Sequence, residues 1–318
     1  METRIGISGW RYAPWRGVFY PKKLAQRLEL HYASRQVNSI EINGSFYSLQ
    51  RPESFQKWHD DVPDDFVFSV KGNRYITHIR RLQETGPLLA NFFASGVLHL
   101  RRKLGPILWQ LPPSFPYDHD RIEDFFQRLP RTFFQAAKLA KTADFIKADL
   151  PDPLPRRRLR HALEVRHHSF ETPEFVEQAR RHDVANVFAD TAGKWPYFED
   201  VTSDFVYARL HGEIELYKSG YDDGSLRWWA KRILAWQAGS QAHDAVTVSA
   251  DKPKRMKRDA YVYFDNDVKV RAPFDAARLH EMLVSKAMLD AGAAVRKRPP
   301  VVRQSGGAAS KNSRAAGR

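Results

Sequence analysis

The stretch Glu41-Ile42-Asn43-Gly44-Ser45-Phe46-Tyr47 decides how this chain is read. Residues 37–42 have the apolar character of a short buried strand, yet the strand closes on a carboxylate, an amide, a glycine turn and two aromatics. Core packing alone gives a strand no reason to end this way. Period-two alternation sets Glu41 and Asn43 on one face and Ile40 and Ile42 on the other. The ending belongs to a site, and the next question is whether other strands end alike.

They do. Apolar runs at 5–8, 37–42, 66–71, 105–110, 162–166, 184–189, 205–210 and 260–264 read as strands. Helical patterns lie between them, over 24–34, 88–100, 118–129, 132–143 and 276–289, after Pro52 and Pro173, and through Trp228 to Leu234. Both prolines sit where a first helical turn accepts them, and Thr172 is placed to cap. Alternation of strand and helix predicts a parallel sheet. Strands apolar on both faces predict helices over its outside. The expected fold is α/β, a TIM-type (β/α)8 barrel formed as a single domain by residues 1–290, with 291–318 as a disordered basic tail. An open doubly wound sheet is the alternative, although Gly6, Gly9 and Gly17 lack the spacing of a dinucleotide-binding loop.

Composition narrows the function. The chain has no cysteine, which excludes disulfides, thiolate metal sites and a cysteine nucleophile. It enters the apolar run Ile5-Gly6-Ile7 directly after Met1-Glu2-Thr3-Arg4, and no apolar run nears the roughly 18 residues of a membrane span, so a cytoplasmic protein without a membrane partner is expected. Of the net charge of +14, residues 291–318 supply +7. The remainder is spread over a large body and reads as a solubilising surface that loosely attracts anions.

Active sites of such barrels lie at the C-terminal ends of the strands. Those ends carry Trp10, Glu41 with Asn43, Lys71 with Asn73, Gln110, Glu164 with Arg166, Asp190, Arg209 with His211, and Asp265 with Asn266. Lys71, Arg166 and Arg209 together suit an anion such as phosphate or carboxylate, arginine being able to fork onto it. Glu41, Glu164, His211 and Asp265 are the candidate catalytic groups for proton movement. Trp10 and Tyr47 would stack on the ligand, and Asn43, Gln110, Asp190 and Asn266 would complete its contacts. No metal and no cofactor are expected, because the cations compete for the carboxylates. On this reading Arg209→Ala abolishes ligand binding and leaves the fold intact. The bland alternative for any single residue is a satisfied buried ion pair. Rival functions are a non-catalytic module that binds nucleic acid through the basic surface and tail, and metal-dependent phosphoester hydrolysis. The aromatic loop 213–221 is expected to be a lid, and the basic run 252–258 a solvated loop at the opposite face.

Seven blocks carry a resemblance: Ile7-Ser8-Gly9-Trp10, Glu41 to Tyr47, Phe68-Ser69-Val70-Lys71, Gln110-Leu111-Pro112-Pro113-Ser114-Phe115, Glu164-Val165-Arg166, Tyr207-Ala208-Arg209-Leu210-His211-Gly212 and Tyr263-Phe264-Asp265-Asn266. In this order, across about 4–290, they resemble the YecE-like proteins, a family classed as domain of unknown function number seventy-two. The resemblance implies a TIM-type barrel and no established reaction. Departures are Phe170 where the family tends to have tryptophan, Asp265 where asparagine is common, and a longer 131–160 segment. In outline the barrel is also similar to sugar-isomerase and apurinic-endonuclease barrels, an analogy of fold alone.

Overall fold

A computed structural model describes residues 1–285 of the chain. The strands are β1 (Thr3–Ser8), β2 (Ser39–Ile42), β3 (Val67–Lys71), β4 (Leu104–Gln110), β5 (His161–Glu164), β6 (Val184–Asp190), β7 (Phe205–Leu210) and β8 (Asp259–Phe264). All pair in parallel and in chain order, and β8 returns to β1 with Arg4 beside Tyr261 and Gly6 beside Tyr263. That closure excludes the open sheet. The expected strands are all present, with bounds shifted by a residue or two. The tail 291–318 and the far end of the expected last helix lie outside the described residues.

The helices are α1 (Glu29–Ala33), α2 (Gly44–Tyr47), α3 (Pro52–Asp61), α4 (Thr85–Ala94), α5 (His119–Arg128), α6 (Phe133–Ala140), α7 (Pro173–Arg181), α8 (Asp223–Gln237) and α9 (Ala272–Val284). Side-chain caps start several of them. Asp118, Thr132, Thr172 and Asp222 each accept from a backbone N–H three residues on, which satisfies a donor the first turn leaves open. Two helical expectations need correcting. The run 88–100 is not one helix: α4 stops at Ala94 and Gly96, at φ +104°, turns the chain into a separate 3-10 segment, Val97–Lys103. The run 24–34 keeps only α1 and the short 3-10 turn Gln26–Leu28.

Two apolar layers form. The outer one lies between sheet and helices and includes Ile5, Ile7, Ile40, Ile42, Val70, Trp109 and Leu163. The inner one fills the lower barrel with Val67, Leu108, Val187, Phe205 and Tyr261. Above it the lumen turns polar. Ser39 Oγ lies 2.7 Å from the Tyr263 hydroxyl, and Ser69 Oγ lies 2.7 Å from the Tyr207 hydroxyl, with the two tyrosine rings 5.2 Å apart. This layer is the floor on which the site rests.

Candidate functional site

Arg209 is the centre of the upper barrel, held by β7 and only 1% exposed. Its Nε and Nη2 donate to Glu41 Oε2 and Oε1 at 3.1 and 2.9 Å, Nη1 to Glu164 Oε2 at 2.8 Å, and Nη2 also to Asp265 Oδ2 at 2.9 Å. Nη1 further lies 3.3 Å from His211 Nε2. Every N–H of the guanidinium therefore has a protein partner. The sequence expectation that Arg209 forks onto a ligand is corrected here: its fork is already filled by carboxylates from β2, β5 and the end of β8.

The partners are correspondingly locked. Glu41 also accepts from Ser8 Oγ at 3.0 Å and from the Tyr207 hydroxyl at 2.6 Å, so both of its oxygens are saturated and the residue is fully buried. Glu164 accepts from Arg166 Nε at 2.7 Å as well as from Arg209. Burial pushes the Glu164 carboxyl up, but Arg166 and Arg209 outweigh it and hold the group far below the usual carboxylate range. Asp265, likewise raised by burial, is drawn down to about 2 by Arg209 and His211. His211 Nδ1 lies 3.0 Å from Asp265 Oδ2, and burial together with Arg209 shifts the imidazole below its ordinary range. Glu41, Glu164 and His211 thus form the bed under the site, and the proton-moving role expected of them does not fit groups so fully engaged.

Above that bed is a cavity of about 600 Å³. Of the sequence-predicted residues it brings together Asn43, Tyr47, Lys71, Gln110, Arg166 and Asp265. Lys71 closes β3, is 8% exposed and places Nζ 4.3 Å from the centre of the Phe46 ring. Among the described residues no carboxylate or carbonyl bonds that ammonium. Burial, reinforced by the Arg209 charge, lowers the Lys71 amine to about 8. Arg166 stacks 3.7 Å over Trp195, donates to Glu164 and, through Nη2, to Gln110 Oε1 at 3.0 Å, and keeps Nη1 without a hydrogen-bonded protein partner among the described residues.

Other predicted residues are placed elsewhere. Trp10 packs edge-on against Trp58 at 5.4 Å and lines a neighbouring cleft. Asn266 points outward and donates to Ser219 O and to Asp275 Oδ2, both at 2.9 Å, so it anchors a loop instead of touching a ligand. Asp190 is buried at the end of β6 and does not line the cavity. The lid expectation for 213–221 also changes. Tyr221 is buried, its hydroxyl accepts from Gly212 N at 3.1 Å, and Ser219 Oγ ties back to Ile214 and Glu215, which makes this a packed arm. Gly212, at φ +118°, permits the sharp departure from β7. The run 252–258 is not wholly solvated either: Arg258 is buried, with Nε donating to Ser203 O at 3.0 Å.

The sequence reading missed Tyr12, Arg74, His78, Tyr217 and Asp267, all at the cavity. Asp267 continues the inward parity of Tyr263 and Asp265, a signal that was available. Burial and the neighbouring Asp265 charge raise its carboxyl to about 6. His78 sits in a single π-helical turn, Tyr75–Ile79, closed by Arg80 N donating to Tyr75 O at 2.8 Å; such turns recur at functional sites. Burial and Lys71 lower its imidazole to about 4. A metal would meet carboxylates already neutralised by Arg209, and among the described residues no group of three or more His, Asp or Glu is arranged to hold one.

The geometry defines a (β/α)8 barrel whose C-terminal mouth carries a buried arginine–carboxylate bed beneath a cavity lined by a lysine that has no ion-pair partner among the described residues. The chain belongs to the family described as "Protein of unknown function DUF72", whose model matches residues 4–299. Among curated relatives it is 23% identical to UPF0759 protein YunF of Bacillus subtilis (strain 168), over 88% of this chain and 94% of that one. It is 27% identical to UPF0759 protein YecE of Escherichia coli (strain K12), over 48% of this chain and 53% of that one. Among solved structures, a DUF72 family protein from Thermotoga maritima superposes with a TM-score of 0.66 at 22% identity, covering 90% of this chain and all of that one. One from Enterococcus faecalis V583 gives 0.63 at 15% identity, covering 89% and 96%. These likenesses agree with the barrel. No helix among the described residues is long and apolar enough to cross a membrane.

Proposed function

We propose that the barrel mouth is an enzyme active site for a small anionic substrate, phosphorylated or carboxylated. The observation that carries this is the Lys71 ammonium: buried, lining the cavity, and without a hydrogen-bond or ion-pair partner among the described residues. A buried charge without a partner costs stability, and it is kept where a ligand supplies the counter-charge. Arg166 Nη1 adds a second donor, with its guanidinium plane fixed between Glu164, Gln110 and the Trp195 face. Proton transfer falls to Asp267 and Lys71, whose pKa values of about 6 and about 8 flank neutrality, and not to the carboxylates held by Arg209.

The test is a thermal-shift screen of wild type and Lys71→Met against phosphorylated sugars, nucleotides, dicarboxylates and a short oligonucleotide. The expected result is a small anion that raises the wild-type melting temperature and leaves Lys71→Met unmoved. Equal shifts of both proteins, or a shift by the oligonucleotide alone, would contradict the assignment and favour binding on the basic surface.

A further inference from the structure

A second cavity of about 470 Å³ opens beside the first, between the loop after β1 and helix α3. The two share a wall: Tyr12 and Asn43 line both. Asn43 Oδ1 is buried and accepts no hydrogen bond, and its amide nitrogen has no partner among the described residues. Orphaned buried acceptors are rare in folded proteins and call for an explanation. Ion pairing does not supply one here, because Asn43 carries no charge and lies beyond the Arg209 bed.

The second cavity has its own cations. Arg11, Arg27 and Lys57 line it, all exposed, and none has a hydrogen bond or ion pair among the described residues. The one acid in its wall, Asp61, already faces His31 Nδ1 at 3.2 Å. Its apolar side is Trp58, half-buried and braced edge-on by Trp10 at 5.4 Å and by Phe55 at 5.1 Å. Cations without a hydrogen-bond or ion-pair partner among the described residues therefore stand in two adjoining cavities, and an unsatisfied amide stands on the wall they share.

We propose that these cavities are one bipartite site for an elongated small molecule with an anionic group at each end. One anion meets Lys71 and Arg166 in the barrel mouth. The other meets Arg27 and Lys57 in the side cleft, while a hydroxyl or carbonyl oxygen in the connecting chain accepts from Asn43 Nδ2. The proposal rests on the anion reading of the mouth and adds the substrate class: a compound phosphorylated or carboxylated at both ends, with a polar middle. It also explains the position of Trp58, whose ring borders the path of the connecting chain.

The experiment is calorimetric titration of the full chain with inorganic phosphate, with a monophosphorylated alkanol, and with α,ω-alkanediol bisphosphates of increasing length. Wild type, Lys71→Met and the double variant Arg27→Ala/Lys57→Ala are compared, Arg27 and Lys57 both being exposed and outside the hydrophobic core. One bisphosphate length is expected to bind at least ~10-fold more tightly than the monophosphate, as two linked contacts do when the linker matches the span. The cleft double variant is expected to lose that advantage and to keep monophosphate binding unchanged. Monophosphate binding with no advantage at any length overturns the bipartite site and leaves the mouth reading standing. Monophosphate binding that falls in the cleft variant and not in Lys71→Met overturns the mouth reading. An oligonucleotide that binds where neither small compound does overturns both.

Discussion

The two ends of the barrel both carry arginine–carboxylate clusters, and they differ in what is left over. At the N-terminal end Arg160 pairs with Asp204 at 3.2 Å and Asp259 at 2.8 Å, and Arg158 with Asp183 at 2.6 Å. Each of these charges has an opposite neighbour and partial contact with water. At the C-terminal end Arg209 is enclosed, yet among the described residues the cluster around it ends in a lysine without a hydrogen-bond or ion-pair partner and an amide oxygen without a donor. In the N-terminal cluster Asp204 Oδ1 is buried without a hydrogen bond, yet it lies 3.2 Å from Arg160 Nε, so every charge there keeps a counter-charge. The upper cluster satisfies its lower tier and, among the described residues, leaves the upper tier open, which supports the proposed anion site.

The sharpest way to break the comparison is Arg209→Ala. Removing this guanidinium leaves Glu41 and Glu164 buried without counter-charge, a loss of roughly 3–5 kcal/mol. The expected outcome is a melting temperature about 10 °C lower or more, or no soluble protein, read by scanning calorimetry. This reverses the sequence-level expectation that the variant keeps its fold. Lys71→Met is the next largest: anion affinity falls about 10- to 100-fold while stability holds or rises, because the variant loses a charge-assisted contact to the ligand and no contact to the protein.

The Lys71 change also sharpens the pH behaviour. A folded-state pKa lowered to about 8 means the unfolded chain binds more protons between about 8 and the ordinary lysine value of 10.5, so this group's contribution to stability rises with pH through that window. The difference between wild type and Lys71→Met should therefore shift in favour of wild type over that range. A smaller effect is expected at the other end. Arg160→Ala should lower stability by about 1 kcal/mol and leave anion binding unchanged, since its pairs are partly solvated. The smallest is Asp267→Asn. Its raised pKa makes the folded state the better proton binder from about pH 4 to about 6, so wild type loses stability across that interval and the asparagine variant does not.

Much of this was legible in the sequence because strand endings obey parity. Glu41, Glu164 and Arg209 each stand two residues apart from another polar group, and the apolar residues between them face the helices. That pattern gave the barrel and the polar mouth. What parity does not encode is depth. Arg209 and Glu41 lie one pleat below Lys71 and Asp265, and only the barrel's stagger decides which cation meets the carboxylates and which meets the cavity. Asn266 was misjudged for a simpler reason, since it neighbours inward-facing Asp265 and must therefore face α9, where Asp275 receives it. Tyr12 and His78 escaped notice because they sit in connections, whose path over the mouth depends on packing that no periodicity announces.

The central claim is that Lys71, and not Arg209, is the buried cation of the mouth left without a hydrogen-bond or ion-pair partner among the described residues. The most direct measurement is an NMR titration of lysine side chains, with Lys71→Met used to assign the Lys71 resonance, first without ligand and then with saturating inorganic phosphate. The account predicts that Lys71 titrates near 8 in the free protein and that phosphate moves its midpoint upward. A midpoint at the ordinary lysine value that ignores phosphate would mean that the ammonium is already paired or solvated, and the claim would fall.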